Sequence, residues 1–334
     1  MNCRLENIVQ KHRDKTVLEI ESLQIASGEV VGLAGPNGSG KTTLLNLLAC
    51  LRSPDQGTVF FEDRPVRGRE AQLRRRVALV QAEPYLLDRS VYENIAYGLK
   101  VRGDYDRLEF RVEEALQKVG LFPRRFLSRK PAELSSGEIQ RVAIASRLVL
   151  KPDLLLLDEP TKSIDFGGAA LLSETLKSLT ALDNMTVVIA SHNQLWIEPL
   201  CDRMVYLFYG KLAEHRPENF LLAQYQTDNE GSLRYEAEGV RLCIPPKTPR
   251  AIAPMVPPGC IDLRQEPCTG GENALAATIS AIRYNPKVPH YEVECLCALG
   301  TLTAYLSAGT FARSGWQPGG RAWLCFDKNS VSWY

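Results

Sequence analysis

The sequence lacks any apolar run long enough to cross a bilayer. Its apolar stretches Leu44–Leu51 and Leu154–Leu157 have the size of core segments and are flanked by polar residues. The first 13 residues carry charges at Arg4, Glu6 and Lys11 and contain no apolar segment of the signal-peptide kind. These absences predict a cytoplasmic protein that, if it serves a membrane, does so through a partner.

The sequence also lacks a net charge of either sign. It holds 40 Lys and Arg against 39 Asp and Glu, for a formal charge of +1, which argues against DNA or an anionic bilayer as a bulk electrostatic partner. The nine cysteines have no zinc-type spacing, and Cys295 and Cys297 are placed to share one face of a strand as buried free thiols. No internal repeat and no coiled-coil heptads are found. A reduced protein without a nucleic-acid partner is predicted.

The 334 residues suffice for one large domain and a smaller one. Up to about residue 220, short apolar strands alternate with amphipathic helical stretches, which predicts an α/β domain with a parallel sheet. Beyond about residue 235, Pro and Gly become dense and short alternating runs predict a small β-barrel or sandwich. These runs are Ala276–Arg283, Tyr291–Leu299, Thr301–Leu306 and Ala322–Phe326. The predicted boundaries are 1–222, a linker at 223–234, and 235–334.

A phosphate-binding loop follows the first buried strand. Residues 35–42 fit G-x-x-x-x-G-K-[ST] at every defined position, between the apolar strand Glu29–Ala34 and the apolar-faced helix Thr42–Leu51. Glycines let backbone amides wrap phosphates, and the helix N-terminus adds a positive dipole. Lys41 is expected to neutralise β- and γ-phosphate oxygens, and Thr42 to hold Mg²⁺. The expected nucleotide-binding set is Gly35, Asn37, Gly38, Ser39, Gly40, Lys41, Thr42 and Thr43. The alternative, a Gly-rich turn with a chance lysine, does not explain the order of strand, loop and helix.

Two carboxylates follow four consecutive leucines. The run Leu154–Leu157 predicts a strand buried on both faces, and the C-terminal strand end is where doubly wound sheets place ligands. Asp158 is expected to hold Mg²⁺, and Glu159 to orient and deprotonate the attacking water. Two acidic residues that merely cap a strand are the alternative, which is less common behind a phosphate loop.

The run Leu134–Arg141 resembles the LSGGQ signature of ABC ATPases. The other marks of that family stand in order: Gln81 as the Q-loop glutamine, Asp165 in the D-loop, and His192 after the strand Thr186–Ser191. The resemblance implies an ABC cassette with a RecA-like parallel-sheet core, an antiparallel β subdomain and a helical signature subdomain.

The same resemblance implies a head-to-tail homodimer that holds two ATP molecules with Mg²⁺. Ser135 and Gly137 of the signature then face the γ-phosphate of the opposing chain, and Ser135 is also a plausible N-cap. Gln81 is implied to sense Mg²⁺ and the attacking water, and His192 to contact the γ-phosphate.

The chain departs from the family pattern at four positions. Ser136 replaces a glycine, so a positive φ there would be costly. Glu138 replaces glutamine, and it fits a capping box with Ser135 as well as a nucleotide contact. Lys162 stands where a small residue is usual in the D-loop. His12 takes the place of the aromatic residue that stacks on adenine, although an exposed loop histidine is an equal alternative.

The segment Pro84–Asn94 resembles importer cassettes, in which it forms part of the groove for a coupling helix of the membrane subunit. Its Ser90-x-x-Glu93 pattern also has a local explanation as a capping box. The resemblance implies membrane permease subunits as partners, an extracytoplasmic substrate-binding protein as an indirect one, and a peripheral location at the cytoplasmic face of the cell membrane.

Residues 255–334 resemble the OB-like TOBE domain of importer cassettes. Asn273 matches a residue of its molybdate-binding element, but Glu272 replaces a cation, so a structural domain is expected over an anion site. The whole chain resembles the tungstate/molybdate branch. Importers of sulfate, iron, polyamines or sugars are the alternatives. A soluble ABC ATPase acting on ribosomes or DNA, or a binding module without catalysis, are the alternatives of another class.

Overall fold

The computed structural model describes residues 1–13, 15–191, 194–213, 219–221, 223, 225–227, 232–237, 240–246, 253–268, 273–285 and 289–333. The chain divides into two compact units, Met1–His215 and Arg216–Tyr334. The predicted boundaries of the cassette and linker remain predictions, since much of the segment between residues 214 and 231 lies outside the described residues.

The first unit alternates strands and helices. Its strands are β1 (Cys3–His12), β2 (Lys15–Ile25), β3 (Val30–Ala34), β4 (Gln56–Phe61), β5 (Arg64–Pro65), β6 (Val77–Val80), β7 (Leu154–Asp158), β8 (Thr186–Ala190), β9 (Arg203–Phe208) and β10 (Lys211–Ala213). Its helices are α1 (Lys41–Leu48), α2 (Glu70–Leu73), α3 (Val91–Val101), α4 (Leu108–Lys118), α5 (Pro123–Phe126), α6 (Ser136–Leu148), α7 (Phe166–Asp183) and α8 (Gln194–Ile197). Single 3-10 turns lie at Pro131–Glu133 and Glu198–Leu200.

Two sheets organise this unit. The larger has the order β10-β9-β3-β8-β7-β6, in which the strands from β9 to β6 pair in parallel and β10 pairs antiparallel. The smaller is antiparallel, with the order β2-β1-β4-β5. The predicted parallel-sheet core and antiparallel subdomain are therefore confirmed, and α3, α4 and α6 pack together as the helical part.

Strand β7 shows why the leucine run forms a central strand. Leu154 and Leu156 belong to the core between the two sheets, together with the apolar face of α1. Leu155 and Leu157 belong to the core on the other face, with residues of α3, α4, α6 and α7. All four side chains are fully buried, as expected for a parallel strand covered on both sides. The carboxyl end of β7 is thus held rigidly between two cores.

The second unit is mostly antiparallel β. Its elements are β11 (Gln226–Thr227), β12 (Leu233–Ala237), β13 (Val240–Ile244), β14 (Pro254–Met255), β15 (Asp262–Arg264), β16 (Asn273–Asn285), β17 (His290–Cys297), β18 (Gly300–Ser307), α9 (Ala308–Ser314), β19 (Arg321–Phe326) and β20 (Ser332–Trp333), with 3-10 turns at Pro258–Cys260 and Lys328–Ser330. One sheet runs β11-β12-β13-β16-β17-β18, with β19 joining β16 to β15, and β14 pairs with β20. The four strands predicted from alternation are present.

All nine cysteines lie among the described residues, and each is a free thiol. Cys295 is buried and Cys297 half-buried, while Leu296 between them is exposed, so the two thiols share one face of β17 as predicted. Burial raises the pKa of Cys295 to about 12. Within the described part of the chain, no helix combines the length and apolar character needed to cross a membrane.

Candidate functional site

The phosphate loop occupies the turn from β3 to α1. Gly35, Gly38 and Gly40 have φ values of 151°, 79° and 107°, a region that side-chain-bearing residues rarely adopt. At Gly35 a Cβ would also lie 2.0 Å from the Leu207 carbonyl oxygen. The first amides of α1 have no carbonyl partner within their own helix. The loop is therefore shaped for close approach of an anion to its backbone.

Lys41 is the first residue of α1, and its side chain is buried. Its ammonium donates to the carbonyl oxygens of Gly35 at 2.7 Å and Pro36 at 3.1 Å. Burial lowers the pKa of Lys41, while the nearby carboxylates of Glu159 and Asp158 act in the opposite direction. A buried ammonium that bonds only to neutral carbonyls is poised to gain from an anionic partner.

Asp158 and Glu159 occupy the carboxyl end of β7. Asp158 is buried, and its Oδ2 accepts a hydrogen bond of 2.7 Å from the hydroxyl of Thr42. Burial raises the pKa of Asp158, and the Thr42 hydrogen bond partly opposes this shift. A hydroxyl and a carboxylate side by side are hard oxygen donors of the type that Mg²⁺ takes. The pair fits that ion beside the phosphate loop.

Glu159 has φ 45°, in the left-handed region. Its amide donates to the Ala190 carbonyl at 2.8 Å, and its Oε2 accepts from the Ser191 hydroxyl at 3.2 Å. Strained φ values are often found at functional positions, where the surrounding structure holds them in place. The end of the neighbouring strand β8 thus supplies two hydrogen bonds that help to fix the residue.

These groups line one cavity of about 390 Å³. The lining residues are Val17, Asn37, Gly38, Gly40, Lys41, Thr42, Thr43, Ala82, Asp158, Glu159 and Lys162. The predicted phosphate loop and the predicted carboxylate pair are thus brought together. Val17, Ala82 and Lys162 were not predicted as site residues. The only sequence signal for them was the unusual charge of Lys162 so close to Glu159.

Of the predicted residues, Gly35, Ser39, Gln81 and His12 are not among those that line the cavity. Gln81, after β6, is exposed and lines a neighbouring groove of about 530 Å³ instead of the cavity. His12 is exposed at the end of β1, pairs with Lys15 across the hairpin, and is not part of the cavity lining. His192 lies outside the described residues, so its predicted contact with phosphate stays a prediction.

The signature begins helix α6. Ser135 is the N-cap: its hydroxyl accepts from the Glu138 amide at 3.3 Å, and the Glu138 carboxylate accepts from the Ser135 amide at 2.8 Å. The predicted capping box is confirmed. Ser136 is the first helical residue and is not among the residues with positive φ, so its replacement of glycine causes no backbone strain.

Gly137 joins the signature to the D-loop. A Cβ at this position would lie 2.6 Å from the carbonyl oxygen of Ser163, so the D-loop backbone packs directly on the helix. Asp165 then caps α7 by accepting from the Gly168 amide at 2.8 Å. Ser135 and Gly137 do not line the cavity of their own chain.

The ABC transporter family model matches residues 18–162. The tungstate uptake system ATP-binding protein TupC of Peptoclostridium acidaminophilum is 36% identical over 215 residues, 64% of this chain and 98% of that protein. The molybdenum import ATP-binding protein ModC of Mycobacterium tuberculosis is 37% identical over 211 residues, 60% of this chain and 56% of that protein. The dimeric post-hydrolysis structure of the ATP-binding cassette MJ0796 with ADP and phosphate aligns at TM-score 0.60 and 29% identity, over 64% of this chain and 97% of that chain.

The chain belongs to the ABC transporter family. Its first unit is an ABC ATPase cassette, so the family predicted from the signature and phosphate loop is confirmed. The family model ends at residue 162, and the assignment of the second unit as a TOBE domain remains a prediction.

Proposed function

We propose that this chain is the ATP-hydrolysing subunit of an ABC importer, attached to the cytoplasmic face of the membrane through permease subunits. The observation that carries the proposal is the single cavity in which the phosphate loop meets Asp158 and Glu159, joined by the Thr42–Asp158 hydrogen bond. Mg²⁺, when bound, supplies positive charge that neutralises the phosphates.

Each polar group of the cavity has a role in this proposal. Lys41 exchanges the carbonyls of Gly35 and Pro36 for phosphate oxygens, and Thr42 and Asp158 hold Mg²⁺. Glu159, fixed by Ser191, orients and deprotonates the attacking water.

Gln81 and His192 complete the proposed catalytic set by resemblance to the family. Gln81, exposed in the groove beside the cavity, has to turn towards the nucleotide when the groove is occupied. A link between the groove and the nucleotide site is therefore proposed to run through this residue.

The proposed active form is a head-to-tail homodimer with two ATP molecules. Ser135 and Gly137 stand at the amino end of α6 and do not line the cavity of their own chain, which supports a role for them at the cavity of a second copy. The cassette structure aligned above is itself a dimer.

The groove beside Gln81 is the proposed permease site. It is lined by Tyr85, Leu87 and Tyr97, whose side chains are 85%, 37% and 47% exposed. An exposed aromatic and apolar lining is typical of a surface that a partner helix covers. The extracytoplasmic binding protein is an indirect partner.

The proposed cargo is an oxyanion of the tungstate or molybdate type. This rests on relatives named for tungstate and molybdenum. A sulfate/thiosulfate import protein of Rhizobium meliloti, 36% identical and covered by the chain over 59% of its length, favours sulfate as the second candidate. The second unit is proposed to be a structural TOBE domain. Asn273 in it is buried and accepts from the Cys243 amide at 2.5 Å, which is a structural role.

The test begins with the purified full-length chain. Glu159→Gln is expected to lower the rate of MgATP hydrolysis by about 100-fold or more, while nucleotide binding is kept. Glu114→Gln on α4, outside the cavity, serves as the matched control. A Glu159→Gln protein that hydrolyses ATP at the wild-type rate would overturn the assigned role.

Cargo is tested by the content of W, Mo, S, P and Fe in cells that carry the wild-type chain or the Glu159→Gln chain. A loss of W or Mo alone in the mutant supports the proposed oxyanion. A loss of S favours sulfate, and no change in any element indicates an organic solute.

A further inference from the structure

Lys162 is one of the residues that line the nucleotide cavity. Its amide donates to the Glu159 carbonyl at 3.1 Å, in the turn that follows the catalytic strand end. The backbone of Lys162 is therefore fixed relative to Glu159, and both residues line the same cavity.

The ammonium of Lys162 bonds to Glu83 at 2.8 Å. The side chains are 49% and 84% exposed, so water screens the pair and the attraction is weak. An anion with more charge, held in the adjacent cavity, can displace Glu83 without leaving a buried charge unpaired. Glu83 then returns to full hydration.

The charges of the lining residues show what Lys162 contributes. Lys41 and Lys162 are the cations of the lining, and Asp158 and Glu159 are its carboxylates. Without Lys162, one cation would face two carboxylates in a cavity that has to attract a nucleotide with several negative charges. Lys162 balances the extra carboxylate.

We propose that Lys162 is a second phosphate-binding cation of the site. Its ammonium separates from Glu83 and binds the terminal phosphate of ATP. The inference rests on the proposed ATPase function. Because Lys162 is tied to Glu159, which is assigned to the attacking water, it contacts the γ-phosphate and discriminates ATP from ADP. Glu83 is its counter-ion when no triphosphate is bound, and it competes with the nucleotide.

The alternative is a structural tether, in which the Lys162–Glu83 pair holds the segment after β6 in place. The two hypotheses predict opposite effects of Glu83→Gln on the affinity for ATP. For a competing counter-ion, Glu83→Gln frees Lys162 and strengthens ATP binding. For a tether, Glu83→Gln and Lys162→Met remove the same contact and weaken the site to the same extent.

The experiment measures dissociation constants of MgADP and of a non-hydrolysable MgATP analogue by calorimetry on the full-length chain. Lys162→Met is expected to weaken binding of the ATP analogue roughly tenfold and binding of ADP less than twofold. The reason is that the charge-assisted hydrogen bond that is lost forms only with the triphosphate. Lys162→Arg should retain most of the affinity. Glu83→Gln is expected to strengthen binding of the ATP analogue about twofold to threefold. The double variant should bind both nucleotides with the affinities of Lys162→Met.

Lys118→Met is the matched control, because Lys118 is also a surface lysine paired with a glutamate, Glu114 at 3.0 Å, but on helix α4 outside the nucleotide cavity. Equal weakening by Lys162→Met and Glu83→Gln would overturn the proposal in favour of the tether. A Lys162→Met chain that binds like Lys118→Met would overturn it as well. If the wild-type chain binds neither nucleotide, the proposed ATPase function itself fails, which separates the two conclusions.

Discussion

At the scale of single residues, burial places opposing demands on the nucleotide site. Asp158 lies in a buried position where ionisation is costly, and its pKa is raised by that burial. Its function, however, requires the carboxylate form, because only the anion binds Mg²⁺ well. The same burial lowers the pKa of Lys41. Both groups therefore cost stability until their ligands arrive, as expected of a functional site.

Asp158→Asn is expected to raise the free energy of unfolding by about 1 kcal/mol near pH 7, without nucleotide or Mg²⁺, and to abolish hydrolysis. The pKa of Asp158 is higher in the folded chain than in the unfolded chain. The free energy of unfolding of the wild type therefore falls as the pH rises through the pKa of the folded state. Asparagine does not ionise, so the variant is more stable than the wild type at neutral pH. This difference in stability disappears below about pH 4. Urea unfolding at several pH values measures this.

Asp153→Asn, just before the same strand, is the control for this prediction. Asp153 is half-exposed and pairs with Arg76 at 2.5 Å, so its loss should lower stability by up to about 1 kcal/mol. The two substitutions are thus expected to change the free energy of unfolding in opposite directions. An Asp158→Asn protein that is less stable than wild type at pH 7 would contradict the assigned cost of burial.

At the scale of elements, two helices begin with the same capping box. Ser90 with Glu93 starts α3, and Ser135 with Glu138 starts α6. Glu138→Ala and Glu93→Ala are each expected to lower the free energy of unfolding by about 0.5–1 kcal/mol. We expect ATP hydrolysis by the isolated subunit to stay within twofold in both variants, because the Glu138 carboxylate is engaged by the Ser135 amide. A fall in hydrolysis with Glu138→Ala alone would show that Glu138 also contacts nucleotide.

The contact between α6 and the D-loop gives a second prediction. Gly137→Ala places a Cβ 2.6 Å from the Ser163 carbonyl and is expected to destabilise the chain by about 1–3 kcal/mol. Gly167→Ala is the matched control in α7, where nothing lies within 4 Å of the added Cβ, so helix propensity alone should give a gain of up to about 1 kcal/mol. Chemical denaturation without nucleotide measures both. Similar changes in stability in the two variants would mean that the D-loop backbone moves away from the added Cβ without a loss of stability.

Elements with strong local signals were predictable from the sequence. The strand at Leu154–Leu157, the helix after the phosphate loop and both capping boxes are confirmed, since composition and spacing alone determine them. The Lys162–Glu83 pair was not predictable, because the residues are 79 positions apart and meet only through packing. The same holds for the exposure of Gln81, which depends on the path of the chain after β6.

At the scale of the whole molecule, each unit has a core of its own. Among the residues that the structure describes, the cores on the two faces of the parallel sheet contain only residues of the first unit. A separate core holds the strands of the second unit, with Leu275, Val293 and Leu324 among its buried members. Alternation predicted these strands, but not their pairing across long intervals of sequence. Because each unit has a core of its own, we expect each to unfold as its own cooperative step.

Ligand binding should therefore stabilise one unit selectively. Eight of the nine α-helices described are in the first unit, so the helical circular dichroism signal reports mainly on the cassette. Three of the four tryptophans, at positions 316, 323 and 333, are in the second unit, and Trp196→Phe removes the other from the fluorescence signal. A non-hydrolysable MgATP analogue at 100 times its Kd is expected to stabilise the cassette by about 2.7 kcal/mol. The dichroism transition should move to higher temperature while the fluorescence transition stays in place. A common shift of both signals would show that the two units unfold together, and that the second unit depends on the state of the nucleotide site.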